Sequence, residues 1–169
     1  MHTPMHTPMH TPMHTPLPAP PDLLPFTQVF CDVAALVTLG PCPQGERRYV
    51  PLGGGTVRGP GLNGTVVEGV VDWQIARADG VLEIAAHYVI RADDGALIEV
   101  RSDGLRHGPP EVMVRLARGE TVARDAYYFR TAVRLTSGAA AWQHLNKMLL
   151  LAVGQREASV VKLDFYRVG

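Results

Sequence analysis

Three Asp-Gly pairs, Asp79-Gly80, Asp94-Gly95 and Asp103-Gly104, divide the middle of the chain into short runs of strand character. Asp-Gly is the strongest short-range hairpin signal, because both residues tolerate the positive φ that a two-residue turn demands. Strands joined this way lie antiparallel to their neighbours. Between the first two pairs the sequence alternates: Leu82, Ile84, Ala86, Tyr88 and Ile90 share one face, and Glu83, Ala85, His87, Val89 and Arg91 the other. Runs rich in β-branched and aromatic residues flank this region. TQVFCDVAALVTL and VVEGVVDWQIA precede it, and VMVRLA, DAYYFRTAVRL and SVVKLDFYRV follow; all read as strands. In AAAWQHLNKML the spacing changes. Trp142, Leu145 and Leu149 recur at helical intervals behind Ser137-Gly138, a plausible cap, which predicts one short helix.

Eight or more hairpin-connected strands would expose long unpaired edges unless the sheet closed on itself. The expected fold is therefore all-β, an antiparallel closed barrel of about eight to ten strands, wide enough for side chains or one small ligand. With 169 residues, 46% of them hydrophobic, the chain can build one domain with a real core. That domain is expected to occupy residues 26–169. Residues 1–25 read as a disordered tail, four MHTP repeats and then the proline-rich LPAPPDLLP, because proline every fourth residue forbids a helix and few large apolar side chains offset the ordering entropy. The repeated His and Met could ligate copper or nickel weakly, but exact repeats are also what tandem duplication leaves.

The stretch VPLGGGTVRGPGLNGTVVEGVVDWQ contains a formal G-x-G-x-x-G at Gly59, Gly61 and Gly64. A dinucleotide site needs a helix after the glycines, whose N-terminal amides hold the pyrophosphate. Here a strand-like run follows, so the glycines read as turns and bulges where backbone crowds backbone. No phosphate loop, zinc spacing or G-x-S-x-G elbow occurs, and the expectation is no cofactor and no metal. Sixteen Lys and Arg balance sixteen Asp and Glu, which argues against nucleic acid and anionic membrane as partners. Cys31 and Cys42 read as reduced thiols. No apolar run approaches the roughly 20 residues that span a bilayer, and the N-terminus lacks a signal-peptide pattern; a cytoplasmic location is expected.

The ordered set GGG, DWQ, DG, HY, DDG, YYFRT and WQHLN, running from about Phe26 to Val168, resembles the DUF3237 family, also called UPF0311. The resemblance implies a lipocalin-like barrel with an internal cavity, often paired as a homodimer, and no defined reaction. One departure stands out. Where the family pattern has Arg before the tyrosine of the HY step, this chain has His87, which replaces a permanent cation by an imidazole.

The candidate chemistry follows Asp72-Trp73-Gln74. In a strand, Asp72 and Gln74 face one way and Trp73 the other. Counted back from the Asp79-Gly80 turn, Asp72 and His87 fall near the same level of adjacent strands, where a carboxylate could orient an imidazole base. Arg130 shares a face with Tyr128, and together they could clamp a carboxylate, phenolate or enolate oxygen. Trp142 and Asn146, four apart, could cap the barrel mouth, with Trp73 and Tyr88 as further substrate contacts. Each has a plainer reading: exposed carboxylate, solvated histidine, surface ion pair, core aromatic. The predicted function is a cofactor-independent enzyme that isomerises, cyclises or eliminates a small oxygenated, partly apolar molecule. The alternatives are a binding barrel without catalysis and a structural dimer.

Overall fold

The computed structural model describes residues 17–169, so the MHTP repeats lie outside the described residues. Ten strands are present: β1 (Leu23–Val33), β2 (Val37–Cys42), β3 (Gly45–Arg58), β4 (Gly64–Val66), β5 (Val70–Ala76), β6 (Leu82–Ala92), β7 (Leu97–His107), β8 (Tyr128–Thr136), β9 (Leu150–Arg156) and β10 (Val160–Val168). All pairings among the described residues are antiparallel. The order β1-β10-β9-β8-β7-β6 continues through β4 and β5 to β3, and β3 pairs back onto β1, which closes the barrel. β4 and β5 share one position between β6 and β3, and β2 extends the far end of β3. The result is an eight-position barrel with two extra strands. The strand at the start begins at Leu23, paired with Val168, three residues before the Phe26 expected from sequence.

Two of the three Asp-Gly pairs form the turns they predict, with Gly80 at φ +84° and Gly95 at φ +88°. The third does not. Asp103-Gly104 lies inside β7, where Gly104 faces Thr131 of β8, and any Cβ there would collide with the Arg130 carbonyl and the Thr131 side chain. The glycine-rich stretch is a barrel wall. Gly55, at φ +150°, presses against the Phe30 backbone of β1, and Gly59, Gly61 and Gly64 crowd Thr27, the Phe26 ring and Arg91. Backbone meets backbone at Gly55, Gly59 and Gly64, and at Gly61 the backbone lies against an aromatic ring.

VMVRLA is a helix, not a strand. In α1 (Pro110–Ala117), Pro110 occupies the first turn with Glu111, Arg115 sits in the last turn, and Gly119 at φ +77° ends it, donating its N–H to the Leu116 carbonyl. These end signals outweigh the β preference of Val112 and Val114. The second helical segment, Ala140–Lys147, is a 3-10 helix that begins after Ala139 rather than at a Ser137 cap. Its three-residue turns put Trp142 and Leu145 on one side and separate Trp142 from Asn146. Leu145 is fully buried and stoppers one end of the barrel. Val57, Ile90, Ile98, Leu135, Leu150 and Phe165 belong to the same buried core. No helix among the described residues is long and apolar enough to cross a membrane.

Candidate functional site

The half of the barrel away from the 3-10 stopper is not filled. A cavity of about 50 Å³ lies there, walled by Val50, Leu52, Ile84, Phe129 and Leu163 among others. Period-two alternation delivers polar side chains into it from five strands: Arg48 of β3, Asp72 and Gln74 of β5, Tyr88 of β6, Ser102 and Arg106 of β7, and Arg156 of β9. Apart from Arg48, which stands at the mouth, all of these line the cavity itself. A relay of hydrogen bonds fixes the acid. Arg48 Nε donates to Gln74 Oε1 at 3.2 Å, and Gln74 Nε2 donates to Asp72 Oδ2 at 2.7 Å. On the facing wall Ser102 Oγ donates to Thr131 Oγ1 at 2.9 Å, and the Arg106 guanidinium lies 5.6 Å over the Phe129 ring.

Four buried polar atoms facing this space find no hydrogen-bond partner among the described residues: Asp72 Oδ1, Tyr88 Oη, Arg106 Nε and Arg156 Nη1. Buried polar groups are ordinarily satisfied, so four together mark a place where the fold keeps hydrogen-bonding capacity in reserve. Electrostatics agree. Burial raises the Asp72 carboxyl to about 6, against the opposing pull of the Gln74 hydrogen bond, the Arg106 charge, the nearby Ala85 backbone N–H and the Arg156 charge. Burial, and then repulsion from Arg156, lowers Arg106 to about 10. Arg156 and Arg48 are lowered as well, each chiefly by burial. The Cys31 thiol, pushed up to about 12 by burial and then by Asp32 and Asp72, stays protonated. Tyr88 is raised far above the usual phenol range by burial, so its hydroxyl is a donor at neutral pH.

The cavity opens toward α1. A vestibule of about 340 Å³ shares Val50, Gln74, Arg106 and Arg156 with it and adds Arg48, and Leu36, Met113 and Leu116 form the vestibule's apolar side. The arginines thus stand at a waist between a wide outer chamber and a small inner one.

A fold of this topology, with this interior, can be placed among known proteins. The DUF3237 model, for a protein of unknown function, matches residues 21–168. The chain belongs to the DUF3237 family. A UPF0311 protein of Rhodopseudomonas palustris is 35% identical over 136 residues, 80% of this chain and 89% of its own. The crystal structure of that conserved protein of unknown function superposes with a TM-score of 0.85 at 31% identity, over 90% of this chain and all of its own. A β-barrel-like protein from Acinetobacter baumannii gives 0.78 at 32% identity, covering 90% and 99%. An enzyme from Penicillium herquei shares the fold, with a TM-score of 0.69 at 20% identity over 92% of this chain and 99% of its own.

Within this DUF3237 barrel the sequence-predicted residues separate into two groups. Asp72 and Tyr88 enter the cavity, together with Gln74 on the face expected for it. The others stay outside. Asp72 pairs with Ala86, so His87, one residue along, projects from the opposite face, where its Nε2 meets Glu99 Oε1 at 2.6 Å. The expected Asp72–His87 pair does not form, because a one-residue offset in a strand reverses the side chain. Tyr128 and Arg130 do come together, with the guanidinium 5.3 Å over the ring, but on the outer wall. Trp73 is also external, under Arg47 at 4.9 Å. Trp142 Nε1 donates to Asp94 Oδ2, and Asn146 makes two hydrogen bonds to the Ser137 backbone, both at the stoppered end away from the vestibule. Among the described residues no three His, Cys, Asp or Glu side chains stand close enough to hold a metal.

Sequence reasoning missed Arg48, Arg106 and Arg156. The signal for Arg106 was present: it continues the inward series Ile98, Val100, Ser102 and Gly104. A turn placed at Asp103-Gly104 interrupts that series and hides it. Arg156 likewise follows Leu150, Ala152 and Gly154 on the inner face of β9.

Proposed function

We propose that this barrel is a cofactor-independent enzyme that moves a proton within a small oxygenated, partly apolar molecule, of aromatic or polyketide-like character. Asp72 is the acid/base group. The observation that carries the reading is a buried carboxyl, poised near pH 6 with one oxygen unpartnered, in a cavity shared with unpartnered donors of Tyr88, Arg106 and Arg156. Asp72 Oδ1 would take a proton from a carbon next to a carbonyl, and the electron pair would move onto the carbonyl oxygen. Arg106, Arg156 and Tyr88 would stabilise that enolate, the role first expected of Arg130 and Tyr128. Return of the proton to another carbon is isomerisation; loss of a β-substituent is elimination. Gln74 holds the carboxyl in place, acting as a positioning residue. The Penicillium enzyme supports the capacity of this fold to host catalysis and says nothing about the reaction.

The test uses a panel of enolisable aryl ketones in D2O, with exchange of the α-protons followed by NMR. The wild-type protein should accelerate exchange, and Asp72→Asn should reduce that rate by at least about a hundredfold, the usual range for a lost general base. Equal rates in the two proteins would remove Asp72 from the chemistry. Thermal stabilisation by a ketone without exchange would favour the binding barrel instead. The proposal extends to a homodimer, as the family resemblance implies, since Leu105, Tyr128 and Leu151 leave an exposed apolar patch on the outer wall.

A further inference from the structure

We infer that the ligand is an organic carboxylate, its anionic head seated between Arg106 and Arg156 at the waist and its apolar body in the vestibule beneath α1. The inference rests on the interior being a ligand site, and it adds the charge and orientation of what enters.

The charge count comes first. Three guanidinium groups, Arg48, Arg106 and Arg156, converge on a space that contains a single carboxyl, Asp72. Arg48 has its own counter-ion in Glu46, 3.8 Å away, so with Asp72 ionised the Arg106–Arg156 pair still leaves one positive charge without a counter-ion there. Burying unpaired cations is costly, and a fold that does so at a cavity gains only when an anion arrives. Hydrogen bonding comes second. Arg106 Nε and Arg156 Nη1 are both buried and unpartnered, and Arg106 feels the charge of Arg156. Two guanidinium donors side by side match the two oxygens of one carboxylate. Gln74 already occupies one Asp72 oxygen, so Asp72 does not fill this role.

Space decides the orientation. The inner cavity of about 50 Å³ admits a few waters' worth of matter, whereas the vestibule of about 340 Å³ takes a ring system. Leu36, Met113 and Leu116 supply its apolar surface. A body lying there would bring the carbon next to the carboxylate toward Asp72 Oδ1.

Binding is then linked to a proton. An anion beside Asp72 favours the protonated acid, so affinity should fall as pH rises above about 6. The groups facing Asp72 are Cys31 on β1, Arg48 on β3, Gln74 on β5, Tyr88 on β6, Arg106 on β7 and Arg156 on β9. β8 and β10 present only Phe129, Thr131, Val161 and Leu163, which do not titrate. Of this set, Asp72 is the group whose charge changes between pH 6 and 8.

The experiment measures binding of 2-naphthoate and its neutral isostere 2-naphthamide to the full-length protein by calorimetry and thermal shift. At pH 6, naphthoate should bind at least about tenfold more tightly than naphthamide, and Arg106→Met or Arg156→Met should erase that preference while Arg130→Met on the outer wall preserves it. From pH 6 to 8 the wild-type affinity should fall, by up to about tenfold per unit, while Asp72→Asn binds more tightly and without pH dependence. Equal binding of acid and amide, binding of neither, or a loss in Arg130→Met equal to that in Arg156→Met would overturn the inference; the acid–amide comparison needs no variant to fold. Naphthoate binding without ketone exchange would sink the catalytic proposal and leave this one standing, and exchange without naphthoate binding the reverse.

Discussion

Asp72 concentrates what is unusual about this chain at the scale of one residue. Its carboxyl titrates near 6 in the folded protein and near 3.8 when exposed. A raised folded-state value means the native state holds the proton longer than the unfolded state. Stability is therefore lost as pH rises from about 4 to about 6, and the cost stays constant above that. Asp72→Asn mimics the protonated acid at every pH. It should match the wild type near pH 4 and exceed it at pH 8 by on the order of 3 kcal/mol, read from paired urea melts. A variant less stable than wild type at pH 8 would contradict the burial that sets this value. If Asp72 is the base, ketone exchange should climb through pH 6 and level off, the opposite trend to naphthoate affinity. His87→Ala and Arg130→Met, on the outer wall, should leave exchange within about twofold. Nothing in the sequence sets these residues apart from Asp72, since His87 and Asp72 differ by a single step of strand register.

Among the elements, β7 and α1 are where sequence and structure parted. Gly104 looks like a turn glycine after Asp103, yet it permits β7 and β8 to approach. Gly104→Ala should cost about 3 kcal/mol, because backbone on both sides must shift to admit one methyl group. A cost under 1 kcal/mol in a denaturant melt would return Gly104 to the status of an ordinary loop glycine. α1 was disguised by its two valines, although Pro109-Pro110-Glu111 and Arg118-Gly119 are the start and stop signals of a helix. Leu116 is its one buried side chain. Leu116→Ala should cost about 2 to 3 kcal/mol and widen the vestibule, with naphthoate affinity changed far less than by Arg156→Met. The turns at Gly80 and Gly95 and the inward face of β6 were legible because each depends on neighbours in sequence alone.

For the whole molecule, closure is the decisive event. β1 pairs with β10 at one end of the chain and with β3 on its other edge, with Leu23 opposite Val168. Contacts between residues so far apart in sequence make for slow folding, on the millisecond to second scale. Removing β10 by ending the chain after Arg156 would leave β1 and β9 with bare edges, and the cooperative melt should disappear. The outer wall carries the remaining expectation, a homodimer, which sedimentation of the wild type and of Leu151→Lys would test; a wild-type monomer would dismiss it. The sequence by itself determined the strand-rich class, the antiparallel order and the outline of the barrel, because alternation, Asp-Gly turns and edge avoidance act over a few residues or over any sheet. Which side chains face inward together was decided by the tertiary structure. Arg48, Arg106 and Arg156 lie on three strands far apart in the chain, and only the register of the closed sheet brings them to one waist beside Asp72. One residue of slip would turn each of them out to solvent.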